Sequence, residues 1–190
     1  MEQKTYTRAH RVLHWLIAFT FLFILLTVFL RTGWLNKDHT ADIILSHAAK
    51  MKLSISREQA VQIGREIRRP MWNWHIYAGY FLIVLYVIRL LVMKIQDPVF
   101  ANPFIKNLSI KERSKGAIYL AFYFLLGITL LSGAFVELGG QWKSARQVMK
   151  TIHVQALYFA LAFIILHFVG LVFAELTNEK GVVSKMIHGK

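Results

Sequence analysis

Four long apolar segments, separated by polar and basic stretches, dominate this chain of 190 residues. An α-helix rises about 1.5 Å per residue, so each segment is long enough to cross a hydrocarbon core of roughly 30 Å. Such segments must be helical, because lipid offers no partner to backbone N–H and C=O groups. We therefore predict an all-α fold, a four-helix transmembrane bundle that forms a single membrane domain over residues 1–190. The predicted spans are approximately 12–30, 71–93, 117–136 and 152–174.

The polar segment 31–70, between the first two spans, is predicted to be a part-helical extramembrane loop. Ser56 and Gln59 have the spacing of a helix-capping box, and apolar residues then recur on one helical face. Pro70 is predicted to end this helix, because proline lacks the N–H that a helix interior needs. An amphipathic helix of this kind is typical of a membrane surface.

Composition restricts the chemistry. Cysteine is absent, which excludes disulfides, cysteine-ligated iron–sulfur clusters and covalent haem attachment. The formal net charge is +13, and the basic residues flank the apolar segments. This distribution suits lipid headgroups and acidic or anionic partners, and it argues against nucleic acid.

Four histidines lie within the predicted spans, where an ionisable side chain is expensive and indicates function. They are His14, His75, His153 and His167. Successive spans run in opposite directions, so His14 and His167 are expected near the side of the chain termini, and His75 and His153 near the other side. His153 and His167 are 14 residues apart, which places both on one face of a regular helix. Two pairs at two depths predict two non-covalent b-type haems, each with two histidines on its iron.

A small residue follows each of these histidines by about one helical turn. These residues are Ala18, Gly79, Ala156 and Gly170. A porphyrin can lie close to a helix only where the side chains are small. We therefore predict that these four residues line the haems. The alternative is close packing between helices, for which small residues are common in membranes.

Arg89 lies near the end of the second span, 14 residues after His75. It is predicted to pair with a haem propionate or with a quinone oxygen; the alternative is an arginine that extends to the membrane surface. His10, four residues before His14, is a candidate for lining a quinone pocket or a simple interfacial residue. His39 and His47 lie on the outer loop and are interpreted as surface groups.

Other interpretations of the four intramembrane histidines remain open. A proton relay or hydrogen-bonded structural histidines would also place ionisable groups in spans. A zinc site would need three or four ligands at one point, whereas these four residues divide between two depths.

With these residues in view, the chain resembles the bacterial cytochrome b-561 / Ni,Fe-hydrogenase b-type cytochrome subunit superfamily. The resemblance rests on His14-Trp15, on His75 to Gly79 followed by Arg89, and on the His153–His167 interval. It implies a multi-pass protein of the bacterial inner membrane with both termini in the cytoplasm. It also implies two haems and electron transfer between the quinone pool and a redox partner on the outer face.

Three functions are therefore in competition. The first is an electron-transfer subunit that docks a redox protein on segment 31–70, which carries eight basic and four acidic residues. The second is a stand-alone superoxide oxidase, in which the same basic surface attracts a small anion and quinone accepts the electrons. The third is a non-redox membrane protein with structural histidines.

Overall fold

The computed structural model describes residues 7–95, 102–177 and 181–189, and all regular structure within them is helical. In chain order the helices are α1 (Arg8–Thr32), α2 (Lys37–Lys50), α3 (Arg57–Ile95), α4 (Ile110–Leu138), α5 (Lys143–Val154), α6 (Ala156–Leu176) and α7 (Val182–His188). By length and composition, four stretches of the described residues can cross a membrane: α1, α3, α4, and the nearly continuous stretch formed by α5 and α6. The prediction of an all-α protein with four membrane-length helices is confirmed.

Many large apolar side chains on these helices are exposed. On α6, for example, Leu166, Val169 and Phe173 are 53%, 61% and 61% exposed. In water such a surface would favour aggregation, but hydrocarbon solvates it as well as a protein core does. The exposed apolar surface therefore agrees with a helix that faces lipid.

Residues 19–81 form one compact unit, which contains the predicted extramembrane segment. Here α2 packs on the first half of α3 through alanines, and Ala41 and Ala60 are fully buried. Gly64 permits this approach, because a Cβ at that position would lie 2.8 Å from the carbonyl oxygen of Lys37. An ion pair between Arg57 and Asp42, at 2.7 Å, joins the same two helices. The segment is part-helical, as predicted.

Pro70 does not end a helix, and that prediction was wrong. Helix α3 runs without interruption from Arg57 to Ile95, with Pro70 inside it. Proline removes one backbone hydrogen bond, but the residues just before Pro70 are polar and mostly exposed, so water can bond the released carbonyl group. The amphipathic surface helix and the second span are thus one helix of 39 residues.

The fourth predicted span is not one regular helix either. Gln155 separates α5 from α6, although its backbone remains in the right-handed helical region (φ −68°, ψ −17°). Tighter hydrogen bonds of the i to i+3 type occur here, from Gln155 N to Ile152 O and from Tyr158 N to Gln155 O, each 3.1 Å long. This local tightening changes the rotation between His153 and His167, so their relative facing does not follow from a uniform helical period.

Residues 1–18 and 82–190 form the second unit, in which α4 packs most extensively against α5. The Tyr86 hydroxyl group donates to the carbonyl oxygen of Tyr123 at 2.9 Å. Gly127 makes room for it, because a Cβ there would lie 2.8 Å from the Tyr86 oxygen. Near the C-terminus, the Arg11 guanidinium donates to the Ile187 carbonyl group at 3.0 Å and thereby anchors α7 on α1.

Candidate functional site

His14 and His167 lie side by side in the unit of residues 1–18 and 82–190. Their ring centres are 6.1 Å apart and the ring planes are inclined by 39°. His14 comes from the first turns of α1 and His167 from the middle of α6, and both are half-buried. The two residues that the sequence pairs at one depth are therefore neighbours.

This separation suits two imidazoles on opposite sides of one metal ion. A metal–imidazole bond is about 2 Å long and the nitrogen lies about 1.1 Å from the ring centre, which gives centres about 6 Å apart. Within the described part of the chain, no group of three or more His, Cys, Asp or Glu side chains is placed to hold a metal ion. Two neutral donors alone leave four positions around an octahedral metal, and a porphyrin supplies those four itself. The donor set thus fits a haem iron.

Two of the predicted small residues face open space. A Cβ built on Gly170 or on Gly79 would meet no described atom within 4 Å. Neither glycine is therefore used for close packing against a described helix. Ala18 and Ala156 are half-buried on α1 and α6. Both glycine positions are open at Cβ, as a macrocycle lying beside the helix would require.

An aromatic ring of its own helix packs on His167, and a ring of α4 packs on that one. Phe163 stacks on His167 with ring centres 5.7 Å apart and an interplanar angle of 23°. Phe122 of α4 stacks in turn on Phe163 at 3.9 Å and 26°. Phe163 thus restricts the rotation of the imidazole, and Phe122 in turn holds Phe163.

His153 lies in the last turn of α5 and is fixed by two features of α4. Its Nδ1 is 3.0 Å from the carbonyl oxygen of Thr129. A carbonyl oxygen can only accept, so Nδ1 carries the hydrogen and Nε2 carries the lone pair. One turn after Thr129, Gly133 makes room for the ring: a Cβ there would lie 2.7 Å from Cε1 of His153. A histidine that ligates a metal typically donates its other N–H to an oxygen acceptor in this way.

His75 has the same arrangement in the unit of residues 19–81. Its Nδ1 is 2.8 Å from the hydroxyl oxygen of Thr27, which is only 2% exposed. That hydroxyl group donates its own hydrogen to the carbonyl oxygen of Ile24 at 2.5 Å. It therefore accepts from His75, and the lone pair of the ring again resides on Nε2.

Aromatic stacking completes the surroundings of His75. The Trp72 indole lies parallel to the imidazole, with ring centres 4.2 Å apart and planes within 8°. On Trp72 rests the guanidinium of Arg31, 4.1 Å from the ring centre. Trp74 and Tyr77 are 61% and 58% exposed, as expected of residues in an interfacial aromatic belt. Trp72 differs from them because it contacts a candidate ligand.

Arg89 is half-buried and hydrogen-bonded rather than extended to solvent. Its Nε donates to the hydroxyl oxygen of Tyr123 at 3.1 Å, and its Nη1 donates to the carbonyl oxygen of His10 at 3.4 Å. Two of its five N–H groups are engaged in this way. A pairing with a propionate or a quinone oxygen therefore stays a prediction.

The remaining histidines differ in environment. His10 is 4% exposed, and its Nδ1 lies 3.0 Å from the Thr7 hydroxyl oxygen. His39 and His47 are exposed on α2, in agreement with their interpretation as surface groups.

Sequence reasoning did not find three of the residues that position the candidate ligands: Thr27, Thr129 and Gly133. Thr27 and Thr129 are among the few hydroxyl residues inside the apolar spans, and this is the only indication that the sequence offers for them. Which histidine each one contacts depends on the packing of helices that are distant in sequence. Gly133 gave no signal, because its partner lies 20 residues further along the chain.

Comparison with known proteins identifies the family of the chain. Residues 5–189, nearly the whole chain, match the family described as prokaryotic cytochrome b561. No curated protein and no solved structure matches the chain significantly. The family match covers every helix described above, and it confirms the resemblance carried by the histidines and by Arg89. The chain therefore belongs to the prokaryotic cytochrome b561 family and is a multi-pass membrane b-type cytochrome of electron transfer.

Proposed function

We propose that the protein is a di-haem cytochrome of the bacterial inner membrane that moves electrons between the quinone pool and a redox partner on the outer face. The observation that carries the proposal is the His14–His167 pair, whose ring centres are 6.1 Å apart. A bound haem iron would supply one-electron chemistry, with its potential set by ligands, burial and hydrogen bonds. What the chain contributes is the identity and orientation of the ligands.

His75 and His153 are proposed to hold the second haem, as the sequence predicts. The support is chemical: both rings have Nδ1 bonded to an oxygen acceptor, Thr27 Oγ1 for one and Thr129 O for the other. Both therefore present Nε2, the nitrogen that a histidine ligand uses when Nδ1–H is engaged. Two histidines that share this tautomer, with Nε2 as the available donor atom, suit the two axial positions of one iron.

The outer-face partner is proposed to dock on segment 31–70, the extramembrane loop of α2 and the start of α3. This segment carries eight basic and four acidic residues. Three of the four acids, Asp38, Asp42 and Glu66, already form ion pairs within the segment, with Lys37, Arg57 and Arg69. The hydrogen bond from Lys37 holds the pKa of the Asp38 carboxyl below its usual value, so that acid stays charged and paired. The remaining surface is basic and suits an acidic redox protein. We propose the orientation in which this segment lies on the outer face and both chain termini lie in the cytoplasm.

The test of the proposed function uses the purified full-length chain from haem-sufficient cells. We expect two b-type haems per chain by pyridine haemochromogen assay, both reducible by a soluble quinol such as decylubiquinol. A separate arm, which receives superoxide and oxidised decylubiquinone without a protein partner, tests the stand-alone alternative. There two superoxide anions would be oxidised to oxygen while one quinone takes up two electrons and two protons, so quinol formation would favour the oxidase. A preparation without a Soret band would refute the cytochrome function.

Removing the Thr27 hydroxyl group should alter the haem held by His75 and leave the other haem unchanged. In Thr27→Val, Nδ1–H of His75 loses its acceptor, so the imidazole becomes a weaker base and stabilises ferric iron less. We expect an upward shift of one of the two midpoint potentials and haem loss on dilution faster by roughly tenfold. Redox titration with optical detection, together with dilution into apomyoglobin, measures both.

Thr27→Ser is the matched control, because serine keeps the hydroxyl group and changes only a methyl group. It should retain both wild-type potentials. If valine and serine shift the potentials equally, Thr27 acts through packing and the positioning role is wrong.

A further inference from the structure

A groove of ≈ 840 Å³ lies along the first half of α4, where residues 103–106 fold against the helix. We call it the α4 groove. Its apolar lining includes Phe104 from the loop and Ala117, Ala121 and Phe124 from α4. The helical positions share one face, because residues three, four, seven and eight apart lie on the same side of a helix.

The α4 groove is charged at one end only. Lys106 and Arg113 line it, and no acidic residue does so among the described lining residues. Glu112, the nearest acid along the chain, is occupied by the helix cap: its carboxylate accepts from the Ser109 hydroxyl group at 2.7 Å and from the Ser109 N–H at 3.1 Å. The two cations therefore face the groove without a carboxylate between them.

The length of the apolar part matches one leaflet of a membrane. From Arg113 to Phe124 the helix advances 11 residues. At about 1.5 Å per residue this is roughly 16 Å, close to half of a hydrocarbon core of about 30 Å. The cations thus lie at headgroup level when the apolar end reaches the middle of the bilayer. Ala117 and Ala121, one turn apart, provide a shallow floor on which a chain of methylene groups can pack.

We propose that the α4 groove binds one anionic phospholipid, with its phosphate on Lys106 and Arg113 and an acyl chain along Ala117, Ala121 and Phe124. Charge complementarity favours this occupant over a quinone, because a quinone ring is uncharged and has no use for two adjacent cations. A soluble protein partner does not suit the apolar end, which lies within the hydrocarbon. The proposal concerns neither haem nor quinone and is independent of the proposed function.

Native mass spectrometry of the detergent-purified chain tests the proposal directly. The probe is an equimolar mixture of palmitoyl-oleoyl phosphatidylglycerol and phosphatidylcholine. Wild type should retain one phosphatidylglycerol in preference to phosphatidylcholine. Lys106→Gln/Arg113→Gln should reduce that preference on the order of tenfold, because neither side chain then carries a charge to attract the phosphate.

The matched control is Lys50→Gln/Arg65→Gln, which removes one lysine and one arginine from exposed positions outside the groove. It should retain the wild-type preference. Ala117→Phe fills the groove and leaves the cations in place, and it should also lose the bound lipid. The Soret absorption of each sample reports haem binding separately, so a failure of the lipid proposal is distinguishable from a failure of the cytochrome function.

Two results would overturn the proposal. One is an equal loss of phosphatidylglycerol in the groove variant and the charge-matched control, which would indicate general surface attraction. The other is displacement of the bound lipid by decylubiquinone at equimolar concentration, which would assign the groove to quinone.

Discussion

His167→Ala should halve the haem content of the purified chain, and His14→Ala should remove the same haem. The two rings are 6.1 Å apart, so if they share one haem iron as proposed, the loss of either would leave that iron with a single protein ligand. The pyridine haemochromogen assay should fall from two haems per chain to one. Reduced-minus-oxidised spectra should lose the same spectral component in both variants.

A double variant that carries both His14→Ala and His167→Ala tests whether the two histidines bind the same haem. If His14 and His167 ligate one iron, the double variant loses no more haem than either single variant, because residues that act as one unit are not additive. His153→Ala should remove the other component instead. His39→Ala, an exposed position on α2, is the control for histidine loss and should retain two haems. Separate components lost from His14→Ala and His167→Ala would contradict the shared site.

Gly133→Ala should displace His153 and thereby remove the haem that we propose this histidine ligates. A Cβ at Gly133 would lie 2.7 Å from Cε1 and 3.0 Å from Nδ1 of His153. The ring cannot yield without lengthening its 3.0 Å hydrogen bond to the Thr129 carbonyl oxygen. Alanine is favoured over glycine in a helix interior by about 1 kcal/mol, so a loss of haem here would run against intrinsic propensity. Haem content and the spectrum of the remaining haem measure the effect.

Gly127→Ala is the matched control on the same helix. A Cβ there lies 2.8 Å from the Tyr86 hydroxyl oxygen, a similar crowding that involves no histidine. It should retain both haems while lowering the thermal midpoint of unfolding. Retention of the His14–His167 component in Gly133→Ala shows that the variant is folded. A Gly133→Ala protein with two wild-type haems would show that His153 is not held by α4 in the way described.

The helical class and the four membrane-length segments follow from the sequence, because an apolar run of about 20 residues in lipid has no stable alternative to a helix. Helix ends are less determined. Pro70 has a local preference against a helix interior, yet α3 continues through it. The opposite occurred at Gln155, where the helix is interrupted although neither proline nor glycine lies within ten residues.

For the candidate site, too, the sequence determined some features and the packing of the helices determined others. The sequence by itself determined which residue types are available: four histidines in spans, Arg89, small residues beside them, and no cysteine. Spacing along each helix also suggested that His14 and His167 share a depth, since the direction of each span follows from the number of crossings.

Only the tertiary structure decided how these histidines are held. Thr27 reaches His75 across 48 positions of the chain, and Thr129 reaches His153 across 24. Such contacts depend on the rotation and register of packed helices, and a periodic apolar pattern constrains these weakly when lipid surrounds most of each helix. The apolar pattern of a membrane helix indicates the length of the helix. Which neighbouring helix each of its faces contacts depends on side-chain packing and on a few buried hydrogen bonds.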